Sequence, residues 1–215
     1  MKRVLFSMVL LMTVSFSFAQ MKIVKEAKRA ATDVNPDLRK AEQLISEAIK
    51  NPETKDLAET WNIAGDIQKR INTEETKNAF VTKKLDTLRA YNSILKMFEY
   101  FAKCDELAQI PDEKGKIKNK YRKANAASLI NERSNLINGG VFVFNKEQNK
   151  EALKFFATYV ESASYPMLAD QEIAKKDSSL SLIAYYATLA ADRIGDKDAI
   201  IKYAPIAIDD VDNGK

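Results

Sequence analysis

The sequence predicts an all-α protein built from antiparallel helix pairs that stack as a short α-solenoid. The chain of 215 residues contains only six Gly and five Pro, whereas Ala, Lys, Glu and Leu are abundant. This composition favours helix over sheet along nearly the whole chain. Apolar residues recur at helical spacing in one segment after another, and short polar connections separate the segments. Such a pattern is typical of amphipathic helices that fold back on their neighbours.

The N-terminus has the order of parts found in a secretory signal peptide. Lys2 and Arg3 precede an apolar run that extends to Phe18. The small residues Ser17 and Ala19 lie three and one positions before the possible cleavage site. This run is shorter than the roughly 20 apolar residues of a membrane-spanning helix. We therefore expect cleavage after Ala19, a folded domain over residues 20–215, and export to the periplasm or cell envelope. No later segment has the length and apolar character to form a transmembrane helix.

The folded part divides into helical pairs near residues 36–71, 74–110, 117–162 and 178–208. Asn35 is predicted to cap the first helix, with Pro36 in its first turn. The stretch from Glu74 to Ile110 has neither Gly nor Pro. It therefore predicts one long helix, or two with a small bend, which would make an elongated or inserted pair.

The C-terminal half continues the same pattern. The apolar run Val141–Phe144 resembles a strand, but helical periodicity flanks it on both sides, so it is interpreted as buried helix. Ser178 is predicted to cap the next helix, and Gly195 to end it in a left-handed conformation. Asp196 then begins a last helix that is expected to reach Ala207. Either this helix is the solvating cap of the array, or the sequence is part of a longer protein.

Short motifs in these helices resemble the tetratricopeptide-repeat (TPR) family. The residues that carry the resemblance are Trp61-Asn62-Ile63-Ala64-Gly65; Ala41, Ile45 and Ala48 before Pro52; Gly140, Gln148-Asn149, Ala152, Phe156 and Pro166; and Gly195-Asp196, Ala199 and Tyr203. In that family, small residues lie where the two helices of a pair touch, and an aromatic side chain fills the remaining gap. The resemblance implies stacked helix pairs whose first helices line a concave groove that binds protein or peptide segments.

The register implied by this resemblance selects the groove residues. They are Glu59, Asn62, Asp66, Lys69 and Arg70 in the first pair, Asn138, Val141 and Asn145 in the middle, and Tyr185, Thr188 and Asp192 in the last. Their amide, charged and phenolic groups can hydrogen-bond a peptide backbone or a carboxylate. The alternative is that they are ordinary exposed helix residues.

The inventory of reactive side chains gives no catalytic, cofactor-binding or metal-binding residue. His is absent, and Cys104 is the only cysteine, which removes His-based nucleophile pairs and most zinc sites. The apolar neighbours of Cys104 favour its burial. Carboxylates are plentiful, so an enzyme with two acids converging in one pocket stays open as an alternative. The cluster Asp209, Asp210 and Asp212 is interpreted as a solvated terminus, and the lysine-rich stretch 114–123 as a solvated surface that an anionic partner could also use.

These observations predict a non-catalytic adaptor or scaffold of the cell envelope that binds a protein or peptide partner. The 34 basic and 30 acidic side chains give a formal net charge of +4, which offers no argument for nucleic acid. The alternative function is a helical module that binds carbohydrate or another envelope polymer. That function would need Tyr91, Tyr121 and Tyr185 to form an exposed stacking platform. Partner identity and oligomeric state stay open.

Overall fold

A computed structural model of the chain describes residues 21–81, 83, 85–111, 114–117 and 119–212. Helices dominate these residues, and no strand occurs among them. The helices are α1 (21–32), α2 (Leu38–Ala48), α3 (Ala58–Val81), α4 (Thr87–Ala108), α5 (Arg122–Phe144), α6 (Asn149–Ser162), a 3-10 helix (Pro166–Gln171), α7 (Ile173–Lys176), α8 (Leu180–Ile194) and α9 (Lys197–Asp212). The all-α fold class is thereby confirmed. The predicted signal peptide lies outside the described residues.

The helices pack in adjacent pairs, as the fold class requires. The most extensive packing joins α3 to α4 and α8 to α9, and α6 packs as extensively on α8 as on α5. A smaller contact of α4 with α5 links the two halves of the array. In the α3–α4 pair, Asn72 Nδ2 donates to the carbonyl of Ala90 at 3.2 Å, while Gly65 lies against Phe101. The later residue of α3 thus meets the earlier residue of α4, so the two helices are antiparallel.

The long stretch without Gly or Pro contains a break that the sequence does not mark. α3 continues to Val81, beyond its predicted end near residue 71, and α4 begins at Thr87. The stretch 74–110 therefore contains the end of one helix and the whole of the next, which run antiparallel, so the prediction of one long helix, or of two with a small bend, is wrong. Lys83 adopts a left-handed conformation with φ of 55° in the connection. Asp86 then caps α4, since its Oδ1 accepts the backbone N–H of Arg89 at 2.9 Å.

Two predicted helix caps are wrong by one or two residues. Asp37, and not Asn35, caps α2 by accepting the backbone N–H of Lys40 at 3.0 Å. The N-cap of α8 is Ser179 and not Ser178, and its side chain makes no capping hydrogen bond; Asp177 Oδ1 accepts the backbone N–H of Ser179 at 2.9 Å just ahead of the helix. At α2 a carboxylate takes the cap position, because its charge strengthens a hydrogen bond to an N–H at a helix start.

Other local predictions are confirmed. The run Val141–Phe144 is helical, as the last turn of α5, but the expected burial holds fully only for Val143, and Val141 is exposed. Gly195 ends α8 with φ of 73°, a conformation that glycine adopts without steric cost. Asp196 accepts the N–H of Ala199 at 3.0 Å at the start of α9, which extends to Asp212, beyond the predicted end. The side chains of the terminal aspartates lie outside the described part.

Buried apolar side chains form two clusters within the described part of the chain. The smaller cluster joins α1, α2 and the first half of α3, together with Tyr100 of α4. The larger cluster extends from α4 to α9. The largest buried side chains of this cluster include Phe101 and Phe156, which lie against Gly65 and Gly140, respectively. A Cβ at either glycine would overlap the facing ring, so the close approach of each helix pair depends on the missing side chain.

No helix in the described ranges is long and apolar enough to cross a membrane.

Candidate binding groove

A concave cavity opens beside α3, bounded by α1 and by Lys120 and Tyr121. Its volume is about 490 Å³, and its walls include all five groove residues predicted in the first pair, Glu59, Asn62, Asp66, Lys69 and Arg70. These positions follow one another at intervals of one, three or four residues, and the intervals of three and four align side chains along one face of an α-helix. The structure therefore brings this part of the predicted set together in one site.

The floor of the cavity is apolar. Ile63 and Ile67 lie between the polar residues of α3, and Ala31 contributes from α1. All three side chains belong to the smaller apolar cluster and are almost completely buried. The cavity thus offers a fixed apolar base below a polar rim, which is the usual construction of a binding pocket.

Amide groups form a hydrogen-bonded chain along one wall. Asn62 Nδ2 donates to Asp66 Oδ2 at 3.0 Å. The Oδ1 atom of Asn62 accepts from Nδ2 of Asn125 in α5 at 3.1 Å. The neighbouring Lys69 donates from Nζ to Ser128 Oγ at 3.0 Å. Polar side chains therefore connect α3 to α5 at the edge of the cavity.

The charges around the cavity are predominantly positive. Its described lining contains four cationic side chains, Lys28, Lys69, Arg70 and Lys120, and two acidic ones, Glu59 and Asp66. Desolvation inside the concave wall raises the pKa of Asp66, although Lys69 and Arg70 oppose that shift. Asp66 is therefore easier to protonate than an ordinary Asp, which would increase the positive character of the cavity further.

A shallower cleft continues the groove between α3 and α5. Thr73 and Thr76 of α3 face Glu132 and Asn135 of α5 across it. Asn135 Nδ2 donates to Glu132 Oε2 at 2.8 Å. The exposed Asn138, one of the predicted groove residues, donates in turn to Asn135 Oδ1 at 3.0 Å. Asn138 thus lies outside the cavity but borders the cleft that extends from it.

The remaining predicted residues lie away from the cavity. Asn145 is exposed at the C-terminal end of α5. Tyr185 is 53% exposed on α8, with its ring against Tyr186 at a centroid distance of 5.7 Å. Asp192 is exposed near the end of the same helix. The structure therefore unites the first set of predicted residues and leaves the last set as separate surface positions.

Three contributors to the site had no signal in the sequence that could have selected them. Lys28 comes from α1 and Lys120 from the connection before α5, while Asn125 is a buried polar residue of α5. Each is far along the chain from the α3 residues that it joins. Lys120 belongs to the lysine-rich stretch that was interpreted as a solvated surface that an anionic partner could also use. Its Nζ lies 5.0 Å from the ring centroid of Tyr121.

The tyrosines required for a carbohydrate platform are dispersed. Tyr91 packs against Phe142 at a centroid distance of 5.8 Å and is partly buried against the larger apolar cluster. Tyr121 is half-buried at the rim of the cavity, and Tyr185 is exposed on α8. The three rings belong to different parts of the molecule and contact different neighbours.

The most buried acids are paired with arginine. Asp105 accepts from Arg122 Nε at 2.8 Å and from its Nη2 at 2.7 Å, and Asp177 forms an ion pair with Arg133 at 2.5 Å. A group of three or more side chains suited to hold a metal ion is not found among the described residues. Cys104 is buried, as predicted, and burial raises the pKa of its thiol to about 12.

Comparison with protein-family models, with curated proteins and with solved structures finds no match for this chain. The geometry of the groove and the residues that form it are therefore the basis for inferring a function.

Proposed function

We propose that this protein is a non-catalytic adaptor of the cell envelope that binds a protein or peptide segment in the groove along α1, α3 and α5. The observation that carries the proposal is the convergence of Glu59, Asn62, Asp66 and Arg70 in one cavity with an apolar floor. The TPR resemblance selects these residues as groove positions. The signal-peptide pattern of the N-terminus supports export to the periplasm or envelope.

The chemistry of the groove suits an extended peptide that carries carboxylates. Amides such as Asn62 and Asn135 can pair with both the N–H and the C=O of a peptide backbone. The cationic excess around the cavity, contributed by Lys28, Lys69, Arg70 and Lys120, would attract acidic side chains or a terminal carboxylate. We favour this function over carbohydrate binding because Tyr91 packs against Phe142, Tyr121 lies at the rim of the cavity and Tyr185 contacts Tyr186, so the three rings do not form one platform.

The first experiment identifies the partner by photocrosslinking in the native cell envelope. A photoreactive residue is introduced at Arg70, inside the cavity, and at Thr73, where the cleft begins. The control position is Glu99, which is exposed on α4. Capture of the same protein from both groove positions and not from Glu99 is expected. Equal capture from all three positions would contradict binding in the groove.

The second experiment measures how the affinity depends on charge in the cavity. Lys28 and Lys25 are exposed residues one turn apart on α1, but only Lys28 lines the cavity. Lys28→Glu is expected to weaken binding of the captured partner by about tenfold or more, which corresponds to about 1.4 kcal/mol, whereas Lys25→Glu leaves it nearly unchanged. Equal effects of the two substitutions would show that only the net charge of the protein matters, and would refute the proposed site.

A further inference from the structure

A second cavity lies at the C-terminal end of α4 and is lined by residues other than those of the groove. It has a volume of about 380 Å³ and is enclosed by the last turns of α4, the start of α5 and the segment 165–167. Ala102, Tyr165 and Met167 give it mainly apolar walls. Met167 is also part of the larger apolar cluster, so the inner wall is held in place by the core. A volume of this size accommodates a molecule of about a dozen non-hydrogen atoms.

One polar atom in this cavity lacks a partner. The Nε2 atom of Gln109 is buried and has no hydrogen-bond acceptor among the described residues. A buried amide donor without a partner costs about 1–3 kcal/mol of stability, and such groups are few in folded proteins. Gln109 is itself a lining residue, and rotation of its flexible side chain toward the cavity would bring the buried Nε2 atom to an acceptor supplied by a ligand.

The charged groups of the cavity neutralise one another. The carboxylate of Asp105 accepts two hydrogen bonds from Arg122, at 2.8 and 2.7 Å, and one from Asn119 Nδ2 at 2.6 Å. Glu106 forms an ion pair with Lys103 at 2.7 Å. Because each acid already has a cation beside it, the site offers no net charge to attract an ion.

From these observations we infer that this cavity is a binding site for a small neutral ligand that has an apolar, ring-sized body and one oxygen acceptor. The body packs between Ala102, Tyr165 and Met167, and the oxygen accepts the hydrogen bond from Gln109 Nε2. This inference is independent of the proposed function, since the cavity shares no lining residue with the groove.

The test compares three probes of nine non-hydrogen atoms each: acetophenone, isopropylbenzene and benzoate. Binding is followed through the NMR signal of the Met167 methyl group in the full chain, labelled at the methionine methyls. Acetophenone is expected to shift this signal saturably. Isopropylbenzene, which lacks the acceptor, should bind about 2- to 12-fold more weakly, the factor that one net hydrogen bond supplies. Benzoate should bind more weakly than acetophenone because its charge would lose hydration in a mainly apolar cavity whose Arg122 is already paired with Asp105.

Two variants distinguish the inferred site from surface association. Gln109→Leu should abolish the preference for acetophenone while isopropylbenzene still binds. Gln43→Leu, the same change at an exposed position of α2, should leave both affinities unchanged. If Gln109→Leu proves unfolded by circular dichroism, the comparison of the three probes on the unmodified protein still decides the matter.

Three results would overturn the inference. The Met167 signal could fail to respond to any probe, which would leave the cavity to an apolar side chain of a protein partner. Benzoate could bind best, which would make Arg122 the centre of an anion site. Acetophenone and isopropylbenzene could bind equally to the unmodified protein, which would remove the role assigned to Gln109.

Discussion

Replacing Arg133 by Met is expected to destabilise the protein severely, because this side chain holds together three segments of the larger cluster. Arg133 as a whole residue is 8% exposed. Its Nε donates to Ser162 Oγ at 3.0 Å, its Nη2 to the carbonyl of Tyr159 at 3.0 Å, and its Nη1 to Asp177 Oδ2. It also lies 3.6 Å from the centroid of the Tyr159 ring. One residue of α5 thus connects α6 to the segment that precedes α8.

The magnitude follows from what the substitution leaves behind. Met can fill part of the space, but Asp177, whose side chain is 13% exposed, would lose its cation while still largely buried. Breaking a buried ion pair by removing one partner costs about 3–5 kcal/mol. In the double variant with Asp177→Asn no charge is stranded. Its destabilisation is therefore expected to fall short of the sum of the two single effects by about 1.5–3 kcal/mol.

The pH dependence provides a second signature. Burial opposes ionisation of Asp177, but hydrogen bonds from Arg133, Tyr159 and the N–H of Ser179 outweigh it and lower the pKa of this carboxyl below its usual 3.8. A carboxyl with a lowered folded-state pKa contributes stability above its unfolded-state pKa and loses it as the pH falls through the folded-state value. The difference in stability between the unmodified protein and Arg133→Met should therefore shrink below pH 4.

The assay is urea unfolding followed by circular dichroism at 222 nm, at pH 7 and at steps down to pH 3. Arg193→Met is the matched control, because Arg193 is exposed, lies 4.4 Å from the ring centroid of Phe144 and donates only a long hydrogen bond to Asn149 Oδ1, at 3.4 Å. Its loss should cost no more than about 1 kcal/mol. A cost below 1 kcal/mol for Arg133→Met, or strict additivity with Asp177→Asn, would refute the reasoning.

Three further substitutions or treatments test the packing. Gly65→Ala should cost about 1–2 kcal/mol in urea unfolding, because overlap with Phe101 exceeds the gain in helix propensity; combination with Phe101→Leu should cost less than the sum, and simple additivity would count against the contact. Gly195→Ala should cost about 1 kcal/mol through its positive φ, whereas Gly195→Asn, better tolerated there, should cost less; an equal loss would contradict the left-handed cap. Cys104 should resist a thiol reagent at pH 8 until urea unfolds the chain, and rapid labelling of the folded protein would disprove its burial.

The sequence was sufficient to predict the cavity wall formed by α3. The spacing of Glu59, Asn62, Asp66 and Arg70 is a property of one helix, so it needs no knowledge of the rest of the fold. The opposite wall could not be predicted, because Lys28 and Lys120 reach the cavity only through tertiary packing. No local pattern records which distant residue will face a given helix.

The errors in helix boundaries have a similar origin. Glycine and proline mark a turn through their own backbone preferences, and Gly195 was therefore predicted correctly. The turn between α3 and α4 has neither residue. It contains Lys83 in a left-handed conformation and Asp86 as a cap, and the backbone N–H of Asp86 donates to Glu75 Oε2 of α3 at 3.4 Å. Lysine does not favour a left-handed conformation, so its position in the sequence does not mark this turn.

The way in which α3 and α5 are joined bears on how the groove can receive a partner. The two helices are held mainly through α4, which packs on both, while direct connections between them are the polar contacts Asn125–Asn62 and Lys69–Ser128. Apolar packing resists separation because it must exclude water again, whereas exposed polar side chains can exchange one hydrogen-bond partner for another at small net cost. Lys69 can therefore turn to a bound peptide, because the hydroxyl of Ser128 still donates to the carbonyl of Ala124 at 3.1 Å, while Asn62 stays on the buried Asn125 and the apolar floor remains intact.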